Sequence, residues 1–300
     1  MRININKPTR WIEVDKAKPN AYWYKDMEAF YNNLELVLKS RNIPYYFKNG
    51  STVNSIHINH HSHGVKPNTW HIKKGYVPGY LYFDKTGYSG WSEGAANYNP
   101  EKVYPKELLD DTEDLIQYYI ENNISKIKQP HAAIIPKEDY ILVIGQKPGD
   151  TVERLARIKT QHLSILVNEA FKDSKYTVYT KPHPAARISY DSKTVEGSIH
   201  KLVSKASAIY TVNSGAGFES LFHNKRIFIS GETDYSPVVD TISCIDSINR
   251  TKYLIEESPS TDARLHFLTY CFNEHFVNAY DIDSINKKVD RVVNDYNLGV

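Results

Sequence analysis

The chain has 300 residues, and its 37 Lys and Arg against 35 Asp and Glu leave a near-neutral balance with no global field to attract DNA, RNA or anionic lipid. That length suits two α/β domains better than one, and the two cysteines, Cys244 and Cys271, lie far apart without metal-ligand spacing, which argues against a disulfide framework or a structural zinc. No apolar run reaches the roughly 18 to 20 residues that cross a bilayer, and the opening MRININKPTRWIEVD lacks a signal peptide's apolar centre, so a soluble cytoplasmic protein is expected.

In chain order, the pattern predicts a strand at Arg2–Ile5 and a helix near Ala21–Ser40, where Tyr24, Met27, Phe30, Tyr31, Leu34 and Leu38 recur at three- and four-residue steps. Strands follow at Pro44–Phe47, Ser55–Asn59 and Tyr80–Asp84, within and around a Gly-, His- and aromatic-rich stretch from His60 to Pro105 that is too irregular to assign. A helix near Asp111–Ile127 closes this half, and two prolines mark a linker. The second half alternates: strand Tyr140–Ile144, helix Thr151–Phe171, strand Tyr176–Thr180, helix Ser198–Lys205, strand Ala208–Val212, helix Gly217–His223 and strand Arg226–Ser230. Such alternation predicts a parallel, doubly wound sheet. Helices at Thr261–Val277 and Ser284–Tyr296 end the chain, and there is no internal repeat or low-complexity tract.

Two short segments carry the chemistry. Lys-Pro-His-Pro at Lys181–Pro184 and Asn-Ser-Gly-Ala-Gly-Phe-Glu-Ser at Asn213–Ser220 each follow a β-branched, Tyr-rich run, and the second opens a helix. A strand, a small-residue turn and a helix start hold phosphates in α/β proteins, because first-turn N–H groups point outward and glycines such as Gly215 and Gly217 allow close approach. Lys181 and His183 would add charge-assisted donors, with His183 pre-aimed by its flanking prolines; the bland alternative is a turn histidine bonded to backbone. Ser214 reads as a helix cap, a role compatible with phosphate binding. After the first strand of this half, Gly145–Thr151 lacks both GxGxxG and the P-loop pattern. It reads either as a lip with Gln146 and Lys147 facing a ligand, or as a plain turn with Asp150 or Thr151 as N-cap.

The two segments resemble the carboxy-terminal half of two-Rossmann-domain (GT-B) glycosyltransferases, nearest to the capsule polysaccharide synthesis and Kdo-transferase group and then to the bacterial sialyltransferases. The resemblance spans about Tyr140–Ser230. It implies an α/β fold of two Rossmann-like domains facing a cleft, with C-terminal helices packing back across both; combined with the proline-marked linker, this gives an expected acceptor-binding domain at 1–128, a linker at 129–137, a nucleotide-sugar-binding domain at 138–275 and a C-terminal helix at 276–300. It further implies that His183 and the Asn213–Gly217 turn meet the donor's phosphate and nucleoside, and that Glu219 holds the ribose hydroxyls. Glu219 otherwise reads as a first-turn residue favoured by the helix dipole.

In the first half, His57, His60, His61 and His63 match no zinc or HExxH spacing; His60 or His63 is placed on the acceptor side instead. Trp70, Tyr88 and Trp91, in a segment also carrying Lys73, Lys74 and Lys85, could stack on sugar rings or unpaired bases, or pack in the core. Transfer to a hydroxyl needs a base, for which Asp84 is preferred over Glu93, with His63 next. The leading expectation is thus an inverting, metal-independent glycosyltransferase without cofactor, taking a CMP- or UDP-sugar as co-substrate and a saccharide as acceptor. No DxD-like pair ends a strand, and Asp110-Asp111 reads as a helix cap. Alternatives are a phage-type enzyme acting on hydroxymethylated DNA, which an AT-rich coding bias would suit, a nucleotide-sugar 2-epimerase, and a non-catalytic nucleotide-binding module.

Overall fold

The computed structural model describes all residues except 8–22, 48–54, 187, 258 and 300. The chain divides into two compact units, Met1–Asn97 with Tyr270–Val300, and Tyr98–Thr269. The stretch 129–137, read from its prolines as a linker, lies inside the second unit.

The first unit is built on six strands: β1 (Ile3–Asn6), β2 (Tyr45–Phe47), β3 (Ile56–His60), β4 (Thr69–Lys74), β5 (Tyr80–Asp84) and β12 (Phe276–Asn278), in the order β12-β5-β4-β3-β1-β2. The four strands from β2 to β4 are parallel, whereas β5 runs antiparallel to β4 and β12 antiparallel to β5. Period-two alternation sends Ile3, Ile5, Ile56, Ile58, Trp70, Ile72, Leu81 and Phe83 into one core. Helix α1 (Trp23–Ser40) covers it with Met27, Phe30, Leu34 and Leu38, and the last helix, Ile282–Leu298, adds Ile285, Val289 and Val292. Residues 21–22 of the expected first helix lie outside the described residues. Strand β4 went unassigned in the sequence because Trp-His-Ile-Lys alternation is short and sits in a Gly- and His-rich stretch.

The second unit holds β6 (Tyr140–Ile144), β7 (Thr177–Lys181), β8 (Lys193–Thr194), β9 (Ala208–Thr211), β10 (Ile227–Ile229) and β11 (Asp240–Thr241), ordered β11-β10-β9-β6-β7-β8 with every pair parallel. The fully buried run Tyr-Ile-Leu-Val-Ile of β6 is what a strand covered on both faces requires. From β6 the chain passes to β7 on one side and later returns to β9 on the other, so strand order reverses around β6. In open α/β sheets ligands bind at the carboxyl ends of strands where that reversal occurs.

Three expected helices differ. The helix expected from Asp111 is α3 (Lys106–Glu121), following the short α2 (Gly94–Asn97); Asp110 and Asp111 lie within it rather than capping it, and Asn123, with φ 51°, turns the chain out of it. The helix expected over Thr151–Phe171 is a 3₁₀ turn at Thr151–Leu155 followed by α4 (Thr160–Phe171), because the backbone between them bonds elsewhere: Arg157 N–H donates to Ser230 C=O at 2.7 Å and Glu232 N–H to Leu155 C=O at 3.1 Å. The remaining helices are α5 (Ile199–Lys205), α6 (Gly215–Ser220), α7 (Ile245–Thr251), α8 (Thr261–Tyr270) and α9 (Ile282–Leu298). Past Tyr270 the helix widens to a π-turn at Cys271–His275 and gives way to β12, which pairs with β5. No helix among the described residues is long and apolar enough to cross a membrane.

Candidate functional site

Three neighbouring strands of the second sheet, β7, β6 and β9, end in the three segments singled out by sequence. Gly145 follows β6 and donates its N–H to Lys181 C=O at 2.9 Å; a Cβ there would stand 2.8 Å from Tyr190 Oη and 3.1 Å from His183 N, so only glycine lets the two turns close. Gln146 is buried, its N–H donating to Thr160 Oγ1 at 3.2 Å, and its Oε1 is without a partner. Lys147 is exposed, and Asp150 opens the 3₁₀ turn without a side-chain cap bond.

Lys181 is buried at the end of β7, and that burial pulls its pKa down against the attraction of Glu196 and Glu219. His183 accepts Ala185 N–H on Nδ1 at 3.1 Å, which leaves the proton of the neutral ring on Nε2. Burial, reinforced by Lys147, Lys126 and Lys181, lowers its pKa and outweighs Asp150. The charge-assisted donor expected at His183 is therefore a neutral one.

After β9, Asn213 Nδ2 donates to Val152 C=O at 2.8 Å and to Glu232 C=O at 3.3 Å, while its Oδ1 is buried without a partner. Ser214 caps α6 by accepting Ala216 N–H on Oγ at 3.3 Å. Gly217 serves packing rather than ligand approach: a Cβ would lie 2.5 Å from Tyr235 Oη and 2.8 Å from Thr211 Cγ2. The Tyr235 hydroxyl in turn donates to Ser214 C=O at 3.0 Å. Gly215 is half-buried beside it.

Glu219, expected near a ribose, is buried. Its Oε1 accepts Lys126 N–H at 3.1 Å and its Oε2 has no partner. Burial pushes its pKa up to about 7, opposed by the Ser125 hydroxyl, the Lys126 amide and the Lys126 and Lys181 charges. Sequence reading missed Ser125, Lys126, Tyr190 and Tyr235, which have no local signature. Three buried acceptor atoms, Gln146 Oε1, Asn213 Oδ1 and Glu219 Oε2, thus sit unpaired in the segments that follow β6 and β9. Buried acceptors of this kind ask for hydroxyl or amine donors.

The loops of the first unit contrast with this. Asp84 is buried with both oxygens engaged: Oδ1 accepts Thr86 N–H at 2.8 Å, Thr86 Oγ1–H at 2.9 Å and Gly87 N–H at 3.0 Å, and Oδ2 accepts Glu93 N–H at 3.1 Å. That geometry makes it the staple of its own loop and removes the ground for preferring it as base. Glu93 Oε2 accepts Arg291 Nη2–H at 2.5 Å, and the same guanidinium lies 5.4 Å from the Trp70 ring centroid. Trp70 itself is a core residue packed edge-on against Phe83, with no face left for a sugar. Tyr88 is likewise buried, with Lys73 Nζ 3.6 Å from its ring centroid. Trp91 is half-buried and stacks on His63 at 3.9 Å with a 5° interplanar angle. His60, at the end of β3, is pulled down to about 4 by burial and by His61, Lys73 and Lys74, and its Nδ1 is buried without a partner. His71, missed in the sequence, ties the 62–64 loop: Nε2–H donates to Gly64 C=O at 3.0 Å and Nδ1 accepts Ser62 Oγ–H at 2.6 Å. Among the described residues no group of three or more His, Cys, Asp or Glu is placed to hold a metal ion.

No family model matches the chain. Protein FixF of Sinorhizobium fredii is 24% identical over 244 residues, covering 76% of this chain and 59% of that protein, so the chain spans well under two thirds of its length. Among solved structures, the KpsC beta Kdo 2,4 transferase of Thermosulfurimonas dismutans superposes with a TM-score of 0.59 at 16% identity, over 96% of this chain and 98% of that one. The KpsC beta Kdo 2,7 transferase of the same organism gives 0.51 at 13% identity, over 97% and 98%. The likeness supports the architecture that the Lys181–Pro184 and Asn213–Ser220 motifs imply: two Rossmann-like units of the GT-B type.

Proposed function

We propose that the protein is a glycosyltransferase that moves a sugar from a CMP- or UDP-linked donor to a hydroxyl of a saccharide acceptor. The observation that carries this reading is the group of unpaired buried acceptors, Gln146 Oε1, Asn213 Oδ1 and Glu219 Oε2, in segments that leave the carboxyl ends of β6 and β9, where the sheet reverses its strand order. A nucleoside brings the matching donors in its ribose hydroxyls and in its base, the cytosine amine or the uracil N3–H. Its phosphate finds the Ser214 cap, the Lys181 ammonium and the neutral Nε2–H of His183, whose proton a leaving phosphate could share as charge develops. The structural relatives are named as Kdo transferases, which makes Kdo the first sugar to try. On the acceptor side, the stacked His63 and Trp91 pair and Glu93 are the candidate groups of the first unit, the imidazole and the carboxylate being the groups able to accept a hydroxyl proton.

Titration calorimetry with CMP, UDP, GDP and their sugars tests the binding step. His183→Ala is expected to weaken nucleotide-sugar binding or slow transfer by at least about tenfold, roughly 1.4 kcal/mol, with the fold intact. Wild-type affinity and turnover in a folded variant would remove the phosphate site. Isomerisation of the donor without any acceptor would mark an epimerase instead.

A further inference from the structure

The segment that follows α3 reaches into the same cluster from outside the strand–turn–helix repeat. Ile124 C=O accepts His200 Nε2–H at 2.8 Å from α5, and His200 Nδ1 pairs with His223 Nε2 at 3.0 Å. Asn123 Oδ1 accepts the Ser198 hydroxyl at the start of α5. Three residues after Asn123, Lys126 N–H holds Glu219 Oε1 at 3.1 Å, ninety-three positions away in the chain. The backbone of Lys126 is therefore fixed against α6, and its side chain, half-buried, starts beside the Glu219 carboxyl whose Oε2 is buried and unpaired.

Burial pulls the pKa of this side chain down, and three carboxylates oppose it. Asp150 after β6, Glu219 in α6 and the buried Asp234 each favour its charged form against burial, and the same ammonium acts on both His183 and Glu219. The Lys126 backbone, tied to Glu219 Oε1 at 3.1 Å, stands beside the helix that follows β9. Resting on the nucleotide-sugar reading above, we propose that Lys126 is a donor-site residue whose ammonium, with Lys181 and His183, grips the phosphate of the bound nucleotide. In the absence of nucleotide, carboxylates neutralise the ammonium; on binding, phosphate oxygens take their place as charge-assisted acceptors. The added negative charge is tolerable because Glu219, pushed up to about 7, can take a proton from neutral solution.

The test compares CMP and UMP with cytidine and uridine by calorimetry, in the wild type and in Lys126→Met and Lys126→Arg, with thermal unfolding as the fold control. Expected is a loss of at least about tenfold for the nucleotides in Lys126→Met, little change for the nucleosides, and partial recovery with arginine. The methionine variant should also show a shallower salt dependence of nucleotide affinity. Unchanged nucleotide affinity in a folded Lys126→Met would overturn the assignment. Equal losses for nucleotide and nucleoside would overturn it too, showing that the residue acts through Glu219 rather than on phosphate. A wild type that binds none of the nucleotides of any base would bring down the nucleotide-sugar reading, and this proposal with it, a result separable from failure at Lys126 alone.

Discussion

The chain ends of β5 and β9 look alike in sequence, each with a carboxylate beside a glycine-containing turn: Asp84 closes β5 and precedes its turn, and Glu219 follows the turn after β9. The hydrogen bonds separate them. Asp84, 3% exposed, receives four bonds from three residues of its own loop, whereas Glu219, 1% exposed, receives a backbone bond from a distant segment and keeps an oxygen unpaired. An acceptor saturated by its own loop is accounted for as structure; a buried one left open carries a cost of about 1 to 3 kcal/mol, which a hydroxyl donor from a ligand or water would remove.

The largest effect that sharpens this contrast is expected at Glu219. Its folded pKa of about 7 stands above the ordinary carboxylate value of 4.5, so the native state holds a proton that the unfolded chain has already released between those values. Stability from this group is present below 4.5 and lost as pH rises to 7, a cost of roughly 3 kcal/mol from a shift of that size. Glu219→Gln cannot ionise. The variant is expected to be more stable than wild type at pH 8 by roughly 1 to 3 kcal/mol, with the gap closing by pH 4.5, in urea unfolding at both pH values. It should nonetheless bind nucleotide more weakly, since its amide can offer one acceptor oxygen but not two. A less stable variant at pH 8 would place Glu219 in a structural role like that of Asp84.

Asp84→Asn tests the other side of the comparison. An amide at this position turns one acceptor into a donor facing Thr86, Gly87 or Glu93 N–H, so a loss of about 1 to 3 kcal/mol in stability is expected. Turnover per folded molecule should change little. A stable protein with turnover reduced by about 10² or more would restore Asp84 as the general base.

What the sequence revealed follows the range of the forces involved. The strands of the second sheet and the placement of Lys181, His183 and Ser214 at strand ends were readable because β-branched runs and turn residues act locally. Trp70 could have been assigned to the core, since it alternates with His71 and Lys73 and shares its face with Ile72; aromatic content drew attention away from that period. The break at residues 156–158 was not readable, because it depends on backbone bonds to residues 230–232. Nor was Lys126, whose tie to Glu219 spans ninety-three positions. The lowered pKa of His183 likewise comes first from the burial of its ring in the folded chain, and then from charges on separate turns.

The smallest effect concerns how the open turn is held. Tyr235 is fully buried after β10; its hydroxyl reaches Ser214 C=O at 3.0 Å, and its ring lies where a side chain at position 217 would project. Tyr235→Phe keeps the ring and removes that bond, which should cost about 1 kcal/mol of stability. If the bond also sets the angle at which the Ser214 turn meets its ligand, nucleotide affinity falls by a few-fold, whereas nucleoside affinity, assigned in the proposed function to Gln146, Asn213 and Glu219, holds. Calorimetry on both ligands distinguishes the outcomes: equal losses would assign Tyr235 to general packing, and a loss confined to the nucleotide would tie the orientation of the turn to the phosphate.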